Sequence, residues 1–358
     1  MLDKITEPTL VIDRGRCLDN ISRMAGKARE HSLDFRPHFK THQSLEVGSW
    51  FRDFGVEKIA VSSVSMAEYF IGGGWKDISI AFPFNPRETE RINQLHPAAR
   101  INVTLENTDA IEMAGPILKR DIGAFIKIDT GYGRTGIVHS DVNKIKRVID
   151  GIESNPFVIF RGFIIHAGHT YKCRSKNEVL KVHHDSLIKI DKLRADFLKY
   201  HPDLTISYGD TPSCSLADDF SGIDEIRPGN FVYYDLMQNN IGSCSTEQIA
   251  VAAAFPVVAK HPERNKIVIH GGAVHLSRES MEINSRTIYG KAVMVDESGI
   301  LGQIAGIALS SVSQEHGILE VNDEELFRQV NIGDLIYIIP VHSCLTANLL
   351  KKTHIINT

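Results

Sequence analysis

The sequence predicts an α/β protein, in which a (β/α)8 TIM-type barrel is followed by a C-terminal all-β domain. Over the first two thirds of the chain, strand-like and helical stretches alternate, which is the pattern of a parallel sheet with helical crossovers. We count eight strand-like stretches, enough to close a barrel. After about residue 245 the helical pattern stops, and short strands joined by turns follow.

The barrel strands are predicted from apolar runs, and the helices from apolar residues that recur with helical spacing. We expect barrel strands at 34–39, 58–62, 77–82, 100–105, 123–129, 159–166, 205–208 and 226–233. We expect helices at 16–30, 43–54, 87–96, 107–118, 141–154 and 175–200. An open, doubly wound sheet is the competing arrangement of the same elements.

The C-terminal part is predicted to be a separate β domain. Its strands are expected at 250–260, 266–270, 291–295, 304–309, 317–321 and 335–340, between Gly, Asn and Asp turns. A strand at 9–13 precedes the first barrel helix and has no barrel partner, so we expect it to join the C-terminal sheet. The predicted domains are 14–244 for the barrel, and 1–13 with 245–358 for the β domain.

Composition argues against several classes of protein. The 358 residues include 40 basic and 44 acidic side chains, with a net charge of −4. This balance does not predict the basic surface that nucleic-acid binding requires. The longest apolar stretch, 249–259, is too short to span a membrane and contains Pro256. Five scattered cysteines without a CxxC pair, and a start without a targeting segment, favour a reducing cytoplasm.

Lys40 is the first candidate for chemistry. It ends the first predicted strand within the segment 36–42, RPHFKTH. Neighbouring cations and partial burial lower the pKa of an ammonium group, and a lysine must be neutral to attack a carbonyl. We interpret Lys40 as a candidate nucleophile, with a solvated lysine at a strand end as the alternative.

Two glycine-rich segments follow later strands, where the chemistry of a barrel is found. The segment 207–213, SYGDTPS, combines a glycine turn with hydroxyls and could cradle a phosphate; an ordinary turn is the alternative. The segment 131–136, GYGRTG, matches GxGxxG but follows the fifth strand and does not open directly into a helix. A dinucleotide-binding segment follows the first strand of its fold and opens directly into a helix. Because this segment does neither, we expect a tight loop that presents Arg134.

A third segment, 341–344, has the sequence VHSC. Residues i and i+2 of an extended chain point to the same side, so His342 and Cys344 could both reach one metal ion. Imidazole and thiolate suit zinc, and two protein ligands leave coordination positions open for substrate. The alternative is a chance pairing of ligand-type residues. His316 is either a third polar neighbour or a turn residue.

Taken together and in this order, five segments resemble one family: 36–42, 129–136 (DTGYGRTG), 166–171 (HAGHTY), 315–317 (EHG) and 342–344 (HSC). The family is the fold-type III pyridoxal-phosphate enzymes, in the branch of D-serine dehydratases and metal-activated D-threonine aldolases. Alanine racemases share the barrel and the lysine but not the terminal His-x-Cys. The chain departs from the family pattern at Gln43, at Gln314 and at 271–275 (GGAVH).

The resemblance implies roles for residues already singled out. Lys40 would hold pyridoxal phosphate as a Schiff base, Arg134 would approach its phenolic oxygen, His166 would flank the ring and Tyr171 would contact the pyridine nitrogen. The phosphate would be held by Gly209, Asp210, Thr211, Gly229 and Asn230. His342 and Cys344 would bind zinc or another divalent metal, and the enzyme would be a homodimer.

The implied activity is that of a lyase acting on a small D-3-hydroxy amino acid. We expect D-serine or a similar substrate to be dehydrated to a 2-oxo acid and ammonia, because an aspartate commonly replaces Cys344 in the aldolases. Retro-aldol cleavage is the first alternative. Racemisation is the second, although no tyrosine motif indicates a second base. A non-catalytic pyridoxal-phosphate-binding protein is the third, although such relatives lack the β domain.

Overall fold

The structure, a computed structural model, describes residues 2–357. By their internal contacts these residues form two compact units. Residues 23–229 are called the barrel unit, and the remainder of the described chain is called the terminal unit.

The described residues form nineteen strands and twelve α-helices. The strands are β1 Thr9–Asp13, β2 Asp34–Phe35, β3 Lys58–Val61, β4 Asp77–Pro83, β5 Arg100–Leu105, β6 Ile122–Asp129, β7 Ile137–Val138, β8 Val158–Ile165, β9 Thr205–Tyr208, β10 Glu225–Ile226, β11 Val251–His261, β12 Lys266–His270, β13 Met281–Ile283, β14 Arg286–Ile288, β15 Gly290–Asp296, β16 Gly299–Val312, β17 His316–Val321, β18 Leu335–Pro340 and β19 Thr353–Ile356. The helices are α1 Arg14–Glu30, α2 Leu45–Trp50, α3 Val64–Gly72, α4 Thr89–Gln94, α5 Asp109–Ala114, α6 Val142–Glu153, α7 Lys176–Phe197, α8 Thr211–Leu216, α9 Leu236–Ile241, α10 Ala273–Leu276, α11 Glu324–Gln329 and α12 Ser343–Leu349.

The barrel unit contains a parallel sheet in the order β2-β10-β9-β8-β6-β5-β4-β3. A parallel bridge between His38 and Ala60 joins the segment after β2 to β3 and closes the ring. The predicted eight-stranded barrel is therefore confirmed, and the open sheet is excluded. Because all eight strands run in parallel, their carboxyl ends meet at one rim, where the loops of such barrels carry the chemistry.

The opposite end of the barrel interior is filled by a buried ionic network. Arg36 pairs through Nε with Oε2 of Glu225 at 2.7 Å and through Nη1 with Oδ1 of Asp77 at 2.6 Å. Its side chain is about 5% exposed, so each charge depends on its partners for solvation. Arg36 is thus a structural residue at the end remote from the carboxyl rim.

The terminal unit is built on an eight-stranded sheet in the order β12-β17-β16-β15-β18-β11-β1-β19. A further pairing between β11 and β12 closes six of these strands into a ring. The early strand β1 lies antiparallel to β11 and parallel to β19. Its predicted place in the C-terminal sheet is confirmed.

Some elements differ from the sequence prediction for identifiable reasons. The strand expected at 226–233 stops at Ile226, because Pro228 has no N–H for a sheet bond and a 3-10 helix follows at Asn230–Val232. Helix α3 was missed because the stretch after its cap, Ser63, is too apolar to show a clear helical face. Helical structure also returns after residue 245, in α10, α11 and α12.

Candidate active site

Lys40 lies in the turn that follows β2 at the carboxyl rim of the barrel. Its side chain is exposed, whereas the flanking His38, Phe39 and Thr41 are buried. The side chain of Lys40 thus faces solvent, whereas its neighbours face the core. The backbone N–H of Lys40 donates to Nδ1 of His38 over 3.3 Å. The lysine is thus accessible but stands on a fixed turn.

Two histidines, His38 and His166, border this rim among several cations. Burial lowers the pKa of His38 well below its usual value, and the charges of Lys40 and Arg227 lower it further. Burial likewise lowers the pKa of His166, together with the charges of Lys127 and Lys40. Both imidazoles are therefore neutral at physiological pH, and the surrounding cations favour an anionic ligand.

His166 is held by the turn that follows β9. Its Nδ1 lies 2.7 Å from the carbonyl oxygen of Gly209. Because a carbonyl only accepts, Nδ1 carries the ring proton and Nε2 keeps its lone pair. The ring also lies 6.1 Å from that of Tyr171, centroid to centroid. A neutral ring with a fixed tautomer agrees with the flanking role implied by the family.

The turn 209–211 has the features of an anion cradle. A Cβ on Gly209 would lie 2.9 Å from the carbonyl oxygen of Arg227, so only glycine fits there. Oδ1 of Asp210 accepts the N–H of Ser213 at 2.7 Å and begins α8. The N–H of Thr211 approaches Oη of Tyr171 at 3.4 Å.

Two atoms of this turn are buried but unpartnered. Within residues 2–357, Oδ2 of Asp210 and Oγ1 of Thr211 have no hydrogen-bond partner. A buried polar atom left in this state costs free energy unless a ligand supplies the partner. Burial also raises the pKa of Asp210 to about 6, so this carboxyl takes up a proton closer to physiological pH than an exposed aspartate does. The hydroxyl of Thr211 can donate to a phosphate, whereas an ionised Asp210 can only accept. Thr211 is therefore the side chain of this turn that fits the phosphate of a cofactor.

Arg134 lies in the loop that follows β6, as predicted from the glycine-rich segment. Oδ1 of Asp129 accepts N–H groups from Gly131, Tyr132 and Gly133 at 2.8–3.2 Å, and this fixes the loop. The segment then enters the short strand β7 rather than a helix, unlike a dinucleotide fingerprint. The guanidinium is exposed and lies 4.9 Å from the centroid of the Tyr132 ring.

Two basic residues of this rim were missed by sequence reasoning. Lys127 is buried within β6, where burial, and then the charges of Arg227 and Arg134, lower its pKa well below the usual value. Arg227 follows β10 and donates to Oγ of Ser207 at 2.6 Å and to the carbonyl of Ile165 at 2.7 Å. Burial lowers the pKa of Arg227 to about 10. A lysine inside an apolar strand was the available signal for Lys127.

His342 and Cys344 lie together in the terminal unit, although the local structure differs from the expectation. His342 is extended, but α12 begins at Ser343, whose N–H donates to Oδ2 of Asp235 at 3.0 Å. The two side chains still meet. Burial by itself lowers the pKa of His342, but the hydrogen bond to Cys344 and the charges of Cys344 and Asp235 outweigh it and raise the pKa to about 9.

Asn230 belongs to this cluster of the terminal unit. Its Nδ2 donates to Oδ2 of Asp235 at 2.7 Å, to Oγ of Ser343 at 3.1 Å and to Sγ of Cys344 at 3.4 Å. The side-chain amide is therefore engaged with the neighbours of the candidate metal ligands. The adjacent Gly229 lies in the barrel unit, where a Cβ would come within 2.8 Å of the carbonyl oxygen of His38.

Sulfur and imidazole are a donor pair suited to zinc, so His342 and Cys344 fit a divalent metal. Among the residues described, no helix is both long and apolar enough to cross a membrane.

Comparison with known proteins identifies the family. The sequence model described as "Alanine racemase, N-terminal domain" matches residues 12–236, well over half of the chain. The chain belongs to this family. A second model, "Putative serine dehydratase domain", matches residues 250–356. The resemblance to fold-type III pyridoxal-phosphate enzymes is thereby confirmed.

Three relatives of the alanine racemase-like chain align over nearly its full length. A D-serine dehydratase of Dictyostelium discoideum is 29% identical, over 99% of this chain and 94% of its own. A D-threo-3-hydroxyaspartate dehydratase of Delftia sp. is 26% identical over 95% and 91%, and its solved structure, with 97% and 93% covered, has a TM-score of 0.88. A D-threonine aldolase of Arthrobacter sp. is 23% identical over 97% and 88%.

Proposed function

We propose that this chain is a pyridoxal-phosphate-dependent lyase that dehydrates a small D-3-hydroxy amino acid, D-serine or a similar substrate, to a 2-oxo acid and ammonia. One observation carries the proposal. The rim of a barrel of this family brings an accessible lysine, Lys40, together with an electropositive wall and a turn with a buried, unpartnered hydroxyl on Thr211.

The residues of the barrel unit have separable tasks in this proposal. Bound pyridoxal phosphate supplies an electron sink for the charge that develops at Cα of the substrate. Nζ of Lys40 would hold the cofactor, and the same amine would accept the Cα proton of the substrate. The turn 209–211 would hold the phosphate, Arg134 would contact the phenolic oxygen, and Tyr171 would contact the ring nitrogen.

His166 has a positioning task. Its neutral ring flanks the cofactor without adding a positive charge, because Nδ1–H is committed to the carbonyl of Gly209. Arg227 lies on the same rim and stays charged although burial lowers its pKa to about 10, so its guanidinium favours an anionic ligand. These residues therefore orient and neutralise a bound anion, while the reacting proton passes to Lys40.

A divalent metal, zinc by preference, is the second proposed component. His342 and Cys344 would hold it, and it would supply Lewis-acid polarisation of the leaving β-hydroxyl. Asp235 and Asn230 support this assignment, because they hydrogen-bond the start of α12 and the thiol, as outer partners of metal ligands commonly do.

Dehydration is favoured over carbon–carbon bond cleavage by the residue at position 344. Family resemblance associates cysteine at this position with dehydratases and aspartate with aldolases. Two of the relatives above carry dehydratase names and one an aldolase name, so retro-aldol cleavage is the second candidate. We further propose a homodimer, as the family resemblance implies. We also propose a cytoplasmic location, because the five cysteines form no disulfide among the described residues.

The test is a product analysis with D-serine, D-threonine and D-threo-3-hydroxyaspartate, each incubated with the purified enzyme. A 2-oxo acid and ammonia in equal amounts support dehydration. Glycine with an aldehyde would move the enzyme to the aldolases. Turnover of none of the three, by a protein that holds the cofactor, would leave a pyridoxal-phosphate-binding protein.

A further inference from the structure

A second cluster of metal-ligating side chains lies in the terminal unit. His270 is the last residue of β12, His275 lies on α10, and Glu315 immediately precedes β17. The Nε2 atoms of His270 and His275 lie 3.9 and 3.8 Å from Oε2 of Glu315. One ligand atom from each of the three side chains lies within 4.8 Å of the other two.

The backbone holds the segments that carry these side chains in a fixed arrangement. The N–H of Gly271 donates to the carbonyl of Glu315 at 3.0 Å, and the N–H of Ala273 to the carbonyl of Ser313 at 2.7 Å. A Cβ on Gly272 would lie 2.4 Å from a carbonyl oxygen of the facing segment, so this close approach requires glycine. The cluster is therefore built by paired backbone.

The exposure of the three side chains suits an exchangeable ion. His275 is 16% exposed, whereas His270 and Glu315 are 44% and 49% exposed. Because His270 and Glu315 are exposed, an ion bound here can keep water in its remaining coordination positions.

We propose that His270, His275 and Glu315 bind one divalent transition-metal ion, separate from the His342–Cys344 pair. Two imidazole nitrogens and one carboxylate oxygen suit Zn²⁺, whereas Mg²⁺ and Ca²⁺ prefer oxygen ligands alone. Ligand atoms around tetrahedral zinc lie roughly 3.3 Å apart, given bonds of about 2.0–2.1 Å. The two nitrogen–oxygen separations therefore need to shorten by about 0.5 Å, and the separation between the two imidazole nitrogens, which is within 4.8 Å, by up to about 1.5 Å.

Binding through His275 carries a cost that sets the expected affinity. Nδ1 of His275 accepts the N–H of Gly272 at 3.2 Å. Ligation through Nε2 places the ring proton on Nδ1, so this hydrogen bond is lost when the metal binds. A metal-ligating histidine usually donates its second N–H to an acceptor. The site should therefore bind zinc more weakly than one with satisfied outer partners.

The experiment is a zinc count on holoenzyme stripped by chelator and dialysed against Zn²⁺. Wild type should retain two ions per chain, and His270→Gln and Glu315→Gln should each retain one. His342→Ala should also retain one, which separates this site from the proposed function. His261→Gln is the matched control, because His261 also lies 3.6 Å from a glutamate, Glu263. This variant should retain two ions, since His261 is not one of the proposed ligands.

A spectroscopic reading checks the identity of the ligands. In the Cys344→Ala variant, Co²⁺ should give visible ligand-field absorption without a thiolate band, and His270→Gln added to that variant should abolish it. Equal zinc in wild type, His270→Gln and Glu315→Gln would overturn the proposal. Cobalt absorption that survives the double substitution would overturn it as well.

Discussion

Nδ1 of His166 lies 2.7 Å from the carbonyl oxygen of Gly209, and this contact joins the two halves of the proposed cofactor site. One half is a neutral ring at the end of β8, and the other is the turn that leads into α8. The bond fixes both the tautomer of the ring and the carbonyl of the first residue of the phosphate cradle. Losing it should therefore affect cofactor binding before it affects the fold.

We expect His166→Phe to weaken pyridoxal-phosphate binding roughly two- to twelvefold, which corresponds to about 0.5–1.5 kcal/mol for one hydrogen bond. The aromatic ring is kept, so the effect reports the loss of the contact to Gly209. Equilibrium dialysis of the cofactor measures it. His201→Phe is the control, because His201 also packs against an aromatic ring, that of Phe160, at 5.0 Å. An unchanged affinity in His166→Phe would argue against the positioning role.

Reduction with borohydride should fix the cofactor on Lys40 and bleach the yellow enzyme. Lys40 is exposed to solvent, whereas Lys127 is buried. Lys127 is the competing lysine, because its lowered pKa favours the neutral amine that attacks a carbonyl. Peptide mapping distinguishes the two. Lys40→Ala should lower turnover by roughly 10²–10⁴-fold or more with little loss of stability. An adduct on Lys127 or Lys172 would show that the anchor was misassigned.

Asp210 should make the stability of the cofactor-free protein depend on pH. Burial raises the pKa of this carboxyl from 3.8 to about 6, so the folded chain binds more protons than the unfolded chain in that interval. Stability contributed by this group therefore falls as pH rises from 3.8 to about 6. Asp210→Asn should lack this loss and gain stability relative to wild type across the same window.

Urea unfolding at several pH values between about 4 and 7 measures the difference. Asp141→Asn is the matched control, because Asp141 also accepts a backbone N–H at the start of a helix, at 3.0 Å from Lys144, but is exposed. A pH-independent difference between wild type and Asp210→Asn would refute the raised pKa.

Removal of the metal should separate turnover from cofactor binding. Chelation, His342→Ala and Cys344→Ala should each reduce turnover by more than about tenfold and leave the cofactor absorbance unchanged. Cys173→Ala is the control for loss of a cysteine outside the proposed metal site, and its turnover should be unchanged. Full lyase activity of the metal-free enzyme would show that the metal is not required for turnover and would contradict this part of the proposal.

The fold was predictable because each strand of the barrel carries its own apolar signal. The early strand β1 could also be placed, since it had no barrel partner. The candidate site was predictable where a residue stands in a distinctive local motif, as Lys40 and Arg134 do. Arg227 has no such motif. Its role depends on contacts with Ser207 and Ile165, which only the closed barrel brings together.

Local geometry was the least predictable feature. His342 and Cys344 were expected on an extended segment, but α12 begins at Ser343 because Asp235, more than a hundred residues earlier, accepts its N–H. The cluster of His270, His275 and Glu315 likewise depends on distant backbone pairing. Neither contact leaves a signal in the neighbouring sequence.

The central claim is that one lysine deprotonates one enantiomer and that dehydration follows. The most direct measurement is incubation of racemic serine with the enzyme, with D-serine, L-serine, 2-oxo acid and glycine followed together. The account predicts that D-serine disappears, that L-serine remains, and that 2-oxo acid and ammonia each equal the D-serine consumed. Loss of both enantiomers at similar rates, or glycine as the main product, would contradict it.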